Sequence, residues 1–425
     1  MQCCYRPAAE TITVEAMTPT AADVTKSETA RERPYDIIVF GATGFVGKLV
    51  VQHLAEHAPA ELKVALAARH TSRLVKVGRA IPGQKWWRIV VDARDSDQVA
   101  RLAQQAKVII TLVGPYWKYG RQLAHECAKA GTHYVDLTGE VLFTQESIRQ
   151  NHELAQASGA KIVHSCGFDS IPSDVAVRAL FDAASTPLGE TTMLVQHLRG
   201  GVSGGTVDSL RAQVQAVADD PSLKRIVSDV YALSRPGADD GSFVADGAPR
   251  RFRGRLRAPF FMAPYNTRLV HRSAMFAGYG AGFRYRELMN VGSGLRSLLR
   301  AGVLTVGMRA LTAAMNFTPT AKILTDKLPA PGEGPSHAER ARGRFSIEAF
   351  TTDASDRKWR SAVSLEQDPG YEGTAMMISA AAQALLYDEL PDTAGVLTPT
   401  VALGEALVER LRHGGMEISV REDSD

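Results

Sequence analysis

Gly41-Ala42-Thr43-Gly44-Phe45-Val46-Gly47 has the residue types and spacing of a phosphate-binding turn. Gly41 permits a tight turn, Gly44 lets main chain approach a pyrophosphate, and Gly47 lets a following helix pack closely on the preceding strand. Free N–H groups at the start of that helix would face the phosphates. Gly41, Thr43, Gly44, Phe45 and Gly47 are therefore candidate cofactor residues. A glycine pattern has this meaning only between a strand and a helix, and the apolar run DIIVF before it and the helical spacing from Phe45 to about His57 supply both.

The end of the next strand selects the cofactor. A site for NAD carries an acid there to hold the ribose 2′-hydroxyl. Here the run is Ala67-Ala68-Arg69-His70-Thr71-Ser72-Arg73, with no acid. Arg69, Ser72 and Arg73 suit a 2′-phosphate, to which guanidinium offers a planar fork of donors. The expected cofactor is NADPH.

Other strand ends on the same edge contribute Gly114, Pro115 and Tyr116, then Asp136 and Glu140, then Asp169. Gly114 and Pro115 are expected to line the cofactor. Tyr116 either points at the reacting carbon or caps the core. Tyr116 and Asp136 are the candidate catalytic residues, with turn or cap hydrogen bonding as the alternative for each acid. For Ser173 and Asp174 capping is the better reading, and Cys166 has no histidine arrangement that argues for reactivity. Further on, Gly204-Gly205-Thr206 precedes a helix; Gly205 and Thr206 could bind a substrate carbonyl or anion at its N-terminus, or serve only to cap it. Arg250 to Arg257 places five arginines among eight residues, either a solvated loop or a landing patch for an acidic partner.

The elements that position these residues alternate. Strand patterns at 36–40, 63–68, 88–93, 108–114, 132–138 and 161–167 are separated by helical spacing. Such units give a doubly wound parallel sheet with helices on both faces, a Rossmann domain. After about residue 185 the pattern shifts to longer strands (191–200, 283–289, 343–353, 359–368), a helix from Gly205 or Thr206 to Asp219, and an irregular Pro-, Gly- and Arg-rich stretch over 235–268. Two helices follow, 374–390 and about 399–412. The expected architecture is α/β: residues 1–33 as a disordered extension; 34–184 as the Rossmann domain, completed by a C-terminal helix within about 396–425; and 185–395 as an α+β substrate domain with a mixed or antiparallel sheet.

Composition agrees with a globular protein. The chain has 425 residues, of which 45% are hydrophobic and 22% charged. A net charge of +3 gives no argument for nucleic acid. Four cysteines without metal-site or disulfide spacing, and no signal peptide, point to the cytoplasm. No apolar run is long enough to span a membrane. Residues 291–317 are apolar but carry Arg296, Arg300 and Arg309; they read as a buried helix or as a flap touching lipid, which would make the protein membrane-associated. No metal site is expected, and a homodimer is compatible with the reading.

FGATGFVGKL, TLVGPYWKYG, YVDLTGE, CGFDSIPSD, SGGT, APYNTRLVHRS and GVLTPTVALGEALVERL run through the chain from about residue 35 to 415. In these pieces and their order the chain resembles the saccharopine dehydrogenase-like proteins of bacteria, and within them the mycobacterial trans-acting enoyl reductases of polyketide lipid synthesis. The resemblance implies an NADPH-dependent reduction of a carbon–carbon double bond on a carrier-tethered acyl substrate, with a polyketide synthase as partner. Two other readings stand beside it: a saccharopine-type amino-acid or imine dehydrogenase, in which Arg268 and Arg272 would clamp carboxylates, and a non-catalytic nucleotide- or lipid-associated binding protein.

Overall fold

The computed structural model describes residues 33–81, 83–200, 204–235, 248–292, 294, 302 and 335–424. In chain order these form β1 (Tyr35–Phe40), α1 (Phe45–His57), β2 (Val64–Ala68), α2 (Thr71–Arg79), β3 (Trp87–Val90), α3 (Ser96–Ala103), β4 (Ala106–Thr111), α4 (Tyr116–Tyr119), α5 (Arg121–Ala130), β5 (His133–Val135), α6 (Val141–Ser158), β6 (Lys161–Val163) and α7 (Ile171–Ala184). There follow β7 (Leu188–Arg199), α8 (Gly204–Asp219), α9 (Lys224–Ser228), β8 (Arg250–Phe252), β9 (Arg255–Pro259), α10 (Ala263–Ala277), β10 (Arg284–Asn290), α11 (His337–Arg340), β11 (Arg344–Asp353), β12 (Lys358–Leu365), α12 (Thr374–Tyr387), β13 (Gly395–Leu397), α13 (Pro399–His413) and β14 (Glu417–Glu422).

The first sheet has the order β13-β6-β5-β4-β1-β2-β3, with every pairing parallel. Its central strands are apolar throughout, as burial on both faces requires: β2 is buried at all five positions, and Ile37, Ile38, Val39, Val108, Ile109 and Ile110 have no exposure. The strand order reverses between β1 and β4, which places a crevice at their carboxyl ends. The second sheet, β14-β12-β11-β7-β10-β9-β8, is mixed: β7 and β10 run parallel and the other pairs antiparallel. β11 and β12 alternate buried and half-buried residues, the period of a sheet with one face in the core.

Packing crosses the expected boundaries in both directions. The helix before residue 185, α7, lies on β7, β11, β12 and β14 of the second sheet. The later helix α12 lies on α1, β4 and β5 of the first. Twelve of its fourteen residues are buried, Thr374 to Leu385 without a break, because the first sheet, α1 and α13 surround it. One apolar cluster accordingly joins Ile37 and Val108 to Ile347 and Val363.

At the C-terminus, β13 adds a seventh strand beside β6, and α13 packs on α7, α10 and α12 and touches β6. Residues 417–422, expected within a helical region, are a strand paired with β12. Two other expectations are corrected. The stretch 235–268 contains the β8–β9 hairpin and the start of α10, in which Pro264 occupies the first turn, where a missing N–H costs nothing. Arg33, assigned to the extension, hydrogen-bonds to the carbonyls of Ala106 and Ala130 and to the Thr132 hydroxyl. Residues 1–32 and nearly all of 291–317 lie outside the described residues. Among those described, no helix is long and apolar enough to cross a membrane.

Candidate functional site

The glycine turn joins β1 to α1. Gly41 has φ +92°, a conformation that favours glycine, and an added Cβ would lie 3.1 Å from the Leu112 carbonyl carbon. A Cβ on Gly47 would lie 2.2 Å from the Gly41 carbonyl oxygen, so helix and turn touch there main chain to main chain. Gly44 is the N-cap of α1; no side chain caps the helix and its first turn contains no acid. The leading N–H groups of α1, beginning at Phe45, are thus open to an anion. Thr43 is half-buried in the same turn.

Beside it, β2 runs into α2, whose N-cap His70 makes no side-chain cap. Arg69, Ser72 and Arg73 are all exposed around this helix start. Asp92, just beyond β3, feels the charge of Arg69 but is held by Arg94 at 2.6 Å, and that hydrogen bond pulls its carboxyl down to about 2. This acid is therefore already matched with a cation. An uncapped α1, a close-packed glycine turn and a β2 end rich in cations and hydroxyls fit a dinucleotide carrying a 2′-phosphate.

Gly114 and Pro115 end the β4 connection and are joined by a cis peptide bond. α8 lies over this point: a Cβ on Gly114 would lie 3.9 Å from Ser209 Oγ, and Leu142 N donates to Gln213 Oε1 at 3.4 Å. α8 therefore belongs, through Ser209, to the same neighbourhood as the end of β4, and Gly205, about one turn earlier on the helix, is exposed. The Thr206 side chain lies outside the described residues.

Tyr116 and Asp136 take structural positions instead of facing the crevice. The Tyr116 hydroxyl donates to the Thr111 carbonyl (3.3 Å) and accepts from Leu137 N (3.2 Å). The ring is buried on Phe143, and burial, aided by the Asp136 charge, pushes the phenol well above its ordinary range. Asp136 has no exposure. Its Oδ1 accepts from Thr138 N and Ser165 N, and its Oδ2 from Tyr134 OH (2.9 Å) and His164 Nδ1 (2.7 Å). Both residues brace the ends of β4, β5 and β6.

Glu140 and Asp174 act as turn and cap groups. Glu140 accepts from Tyr116 N (2.8 Å) and Trp117 N (2.7 Å) at the start of α4, and burial raises its carboxyl. Asp174 binds Ser273 Oγ (2.5 Å) and the main-chain N and hydroxyl of Thr400, thereby capping α13 and tying it to α10. Ser173 faces Asn266 Nδ2 at 3.4 Å. The carbonyl of Asp169 accepts from the same amide. Cys166 is buried, which pushes its thiol up and away from reactivity.

Sequence reading missed the partners that make Asp136 a hub. His164 follows β6 directly; its Nε2 meets Ser147 Oγ at 2.9 Å, and Ser147 accepts from Asn151 Nδ2 at 3.2 Å. Tyr265, reaching in from α10, meets Ser165 Oγ at 2.5 Å and Thr144 Oγ1 at 3.0 Å. His164 stands at a strand end and Tyr265 in the APYNTRLVHRS segment, so position was the available signal. The partnership itself spans a hundred residues of sequence.

Arg268 and Arg272 are both buried in α10. Arg268 donates to the carbonyls of Asp229 (2.7 Å), Val227 (2.5 Å) and Pro264. Arg272 donates to Leu233 and Val396, each at 2.6 Å. Burial lowers each guanidinium to about 10. They join loops to the core. Of the arginine run, Arg257 is buried on Asn290 (2.6 Å) and Arg253 pairs with Asp423 (2.8 Å); Arg251 and Arg255 are exposed on the hairpin.

Comparison with known proteins adds independent findings. A family model described as the saccharopine dehydrogenase NADP-binding domain matches residues 37–163. A Mycobacterium tuberculosis protein of the trans-acting enoyl reductase family is 39% identical over 92% of this chain and 98% of its own. Proteins named trans-acting enoyl reductase from Mycobacterium bovis (36% identity, 91% of this chain and 97% of its own) and Mycobacterium leprae (35%, 91% and 98%) are also similar. Among solved structures, saccharopine dehydrogenase (L-Glu forming) from Saccharomyces cerevisiae superposes with a TM-score of 0.52 at 11% identity, covering 92% of this chain and all of that one. This last likeness is one of fold.

Proposed function

The chain belongs to the trans-acting enoyl reductase family, and from that premise we propose that it is an NADPH-dependent oxidoreductase that reduces the carbon–carbon double bond of an enoyl thioester delivered on a carrier. The observation that carries this reading is the joint layout of the crevice. An acid-free, cation-rich phosphate end at β1 and β2 lies on the same sheet edge as the end of β4, over which α8 packs through Ser209.

In this reading Gly41, Thr43, Gly44 and Phe45 present main chain to the pyrophosphate and Gly47 seats the helix. Arg69, Ser72 and Arg73 hold the 2′-phosphate, and Gly114 and Pro115 line the path toward the reacting end. NADPH, when bound, supplies the hydride for the substrate β-carbon. The main-chain N–H groups of Gly205 and Thr206 stabilise the enolate oxygen that develops on the thioester. Tyr116 and Asp136 position this edge of the sheet without touching substrate, so the α-carbon takes its proton from another donor, such as solvent.

The amino-acid or imine dehydrogenase reading needs cations free to clamp carboxylates, and its candidates, Arg268 and Arg272, are engaged by main-chain carbonyls. The partner fits the same scheme. A carrier domain presenting acidic side chains would meet the exposed Arg251 and Arg255, and long-range attraction there would raise the encounter rate.

The test is NADPH oxidation measured against enoyl thioesters, free and carrier-bound, alongside imines and amino acids. Turnover confined to the enoyl thioesters is expected. Turnover confined to imines or amino acids would overturn the proposal, and so would dinucleotide binding without turnover of any substrate class.

A further inference from the structure

Phe45 opens α1 at the point where the pyrophosphate is expected, and its ring is held by residues from the second half of the chain. Tyr371 packs edge-on against it, with ring centroids 4.9 Å apart and planes at 72°. The guanidinium of Arg340 lies 5.3 Å from the ring centroid. Arg340 ends α11, whose start is fixed by a reciprocal cap between Ser336 and Glu339. The chain just after it is held against the segment leading into α12: a Cβ on Gly343 would lie 2.3 Å from Asp368 Cα. The position of Arg340 beside Phe45 is therefore set by backbone packing as well as by its own side chain.

The donors of Arg340 are only partly engaged. Nε donates to Glu372 Oε1 at 2.5 Å and Nη1 to the Pro335 carbonyl at 2.8 Å; Nη2 is the nitrogen to which neither contact is committed. The second carboxylate oxygen of Glu372, Oε2, is buried and has no hydrogen-bond partner among the described residues. A cation with an uncommitted donor and a buried carboxylate oxygen without a donor thus stand together beside Phe45, at the start of a helix that is uncapped and whose own first turn carries no acid. Most buried polar atoms in folded proteins are matched. An unmatched carboxylate oxygen competes for the Arg340 guanidinium, whose uncommitted donor is left to an anion at the helix start.

We infer that Arg340 is a pyrophosphate-binding residue, supplied from the second half of the chain, that closes the cofactor site over Phe45. The inference rests on the NADPH reading proposed above. It adds that affinity for the pyrophosphate is contributed by a residue outside 37–163, the segment that matches the NADP-binding family model. It also adds that binding joins α11 to α1. Arg340 recognises what NADPH and NADH share, whereas Arg69 and Arg73 recognise what distinguishes them.

The experiment is equilibrium binding of NADPH, NADH and 2′-AMP to the full chain, followed by fluorescence and calorimetry, for the unaltered protein and for Arg340→Gln, Glu372→Gln and Arg69→Ala. Arg340→Gln should weaken both dinucleotides by roughly tenfold or more, the size expected for a lost charge-assisted hydrogen bond. It should leave 2′-AMP, which lacks the pyrophosphate, unchanged. Glu372→Gln removes the competing carboxylate charge while keeping an acceptor, so it should bind both dinucleotides as tightly as the unaltered protein or more so. A merely structural ion pair predicts the opposite: both variants lose affinity and thermal stability together. That outcome, or unchanged dinucleotide affinity in Arg340→Gln, overturns the inference while leaving the NADPH reading intact. Failure of the unaltered protein to bind either dinucleotide overturns the NADPH reading, and this inference with it.

Discussion

At the ends of β1 and β2, main-chain N–H groups are open and Arg69, Ser72 and Arg73 face solvent. Along the same edge, at the ends of β5 and β6, Asp136, His164, Ser147 and Ser165 are buried and bonded to one another. Both regions are rich in polar groups, and sequence position alone marks both as sites. The difference between them is satisfaction. A buried group whose hydrogen bonds are complete stabilises the fold and has little left for a ligand, whereas an unmatched group at a surface can bind one. On this comparison the phosphate end is the ligand-binding region and the β5–β6 end is its brace.

Removing the brace should have the largest effect. Asp136→Ala would leave Tyr134, His164 and two main-chain N–H groups without their shared acceptor. A loss of about 3–5 kcal/mol is expected, the range for breaking one partner out of a buried charged network, measured by denaturant unfolding without cofactor. A variant of normal stability that binds NADPH but does not turn over would reverse the comparison and make Asp136 a catalytic residue.

The converse holds at the open end. Arg69→Ala with Arg73→Ala should weaken NADPH by on the order of ten- to a hundredfold, as loss of charge-assisted phosphate contacts implies, with NADH affinity and thermal midpoint nearly unchanged. Tighter binding of NADH than NADPH by the unaltered protein would remove the cofactor assignment.

Tyr116→Phe sharpens the contrast at a single atom. Its hydroxyl joins two main-chain groups, so its removal should cost about 1 kcal/mol of stability and leave turnover of an enoyl thioester close to normal. A large fall in turnover at unchanged stability would return Tyr116 to the reacting carbon.

The smallest effect is expected far from both regions. Arg251→Ser with Arg255→Ser should slow turnover of carrier-bound substrate by a few-fold at low salt, the kind of association-rate effect that salt screens. A free thioester analogue should be unaffected. Equal loss on both substrates would place these residues in the fold or the active site instead.

The strand–turn–helix at residues 36–57 was legible because its signals are local. A buried apolar run, a glycine that must take positive φ and a periodic helix all lie within about two dozen residues. The missing acid after Ala68 is equally local, and so are β7, β10, β11 and β12 of the second sheet, since alternation survives in any context that buries one face; the short β8–β9 hairpin and β14 were not legible. The sequence also supplied the family, through motifs spread along the chain. Tertiary structure decided what those residues do. Whether Tyr116 and Asp136 face a crevice or a core depends on Leu137, His164 and Ser165, and no spacing rule links Ser165 to its own partner Tyr265. It also decided which helix covers which sheet: α7 and α12 are both strongly apolar, and that composition requires burial without choosing the layer. Arg340 reaches Phe45 only because the chain before β11 packs against the segment leading into α12. Hydrophobic periodicity determines that an element is buried and on which face, whereas the partner of a buried polar atom is chosen by the packing of distant segments.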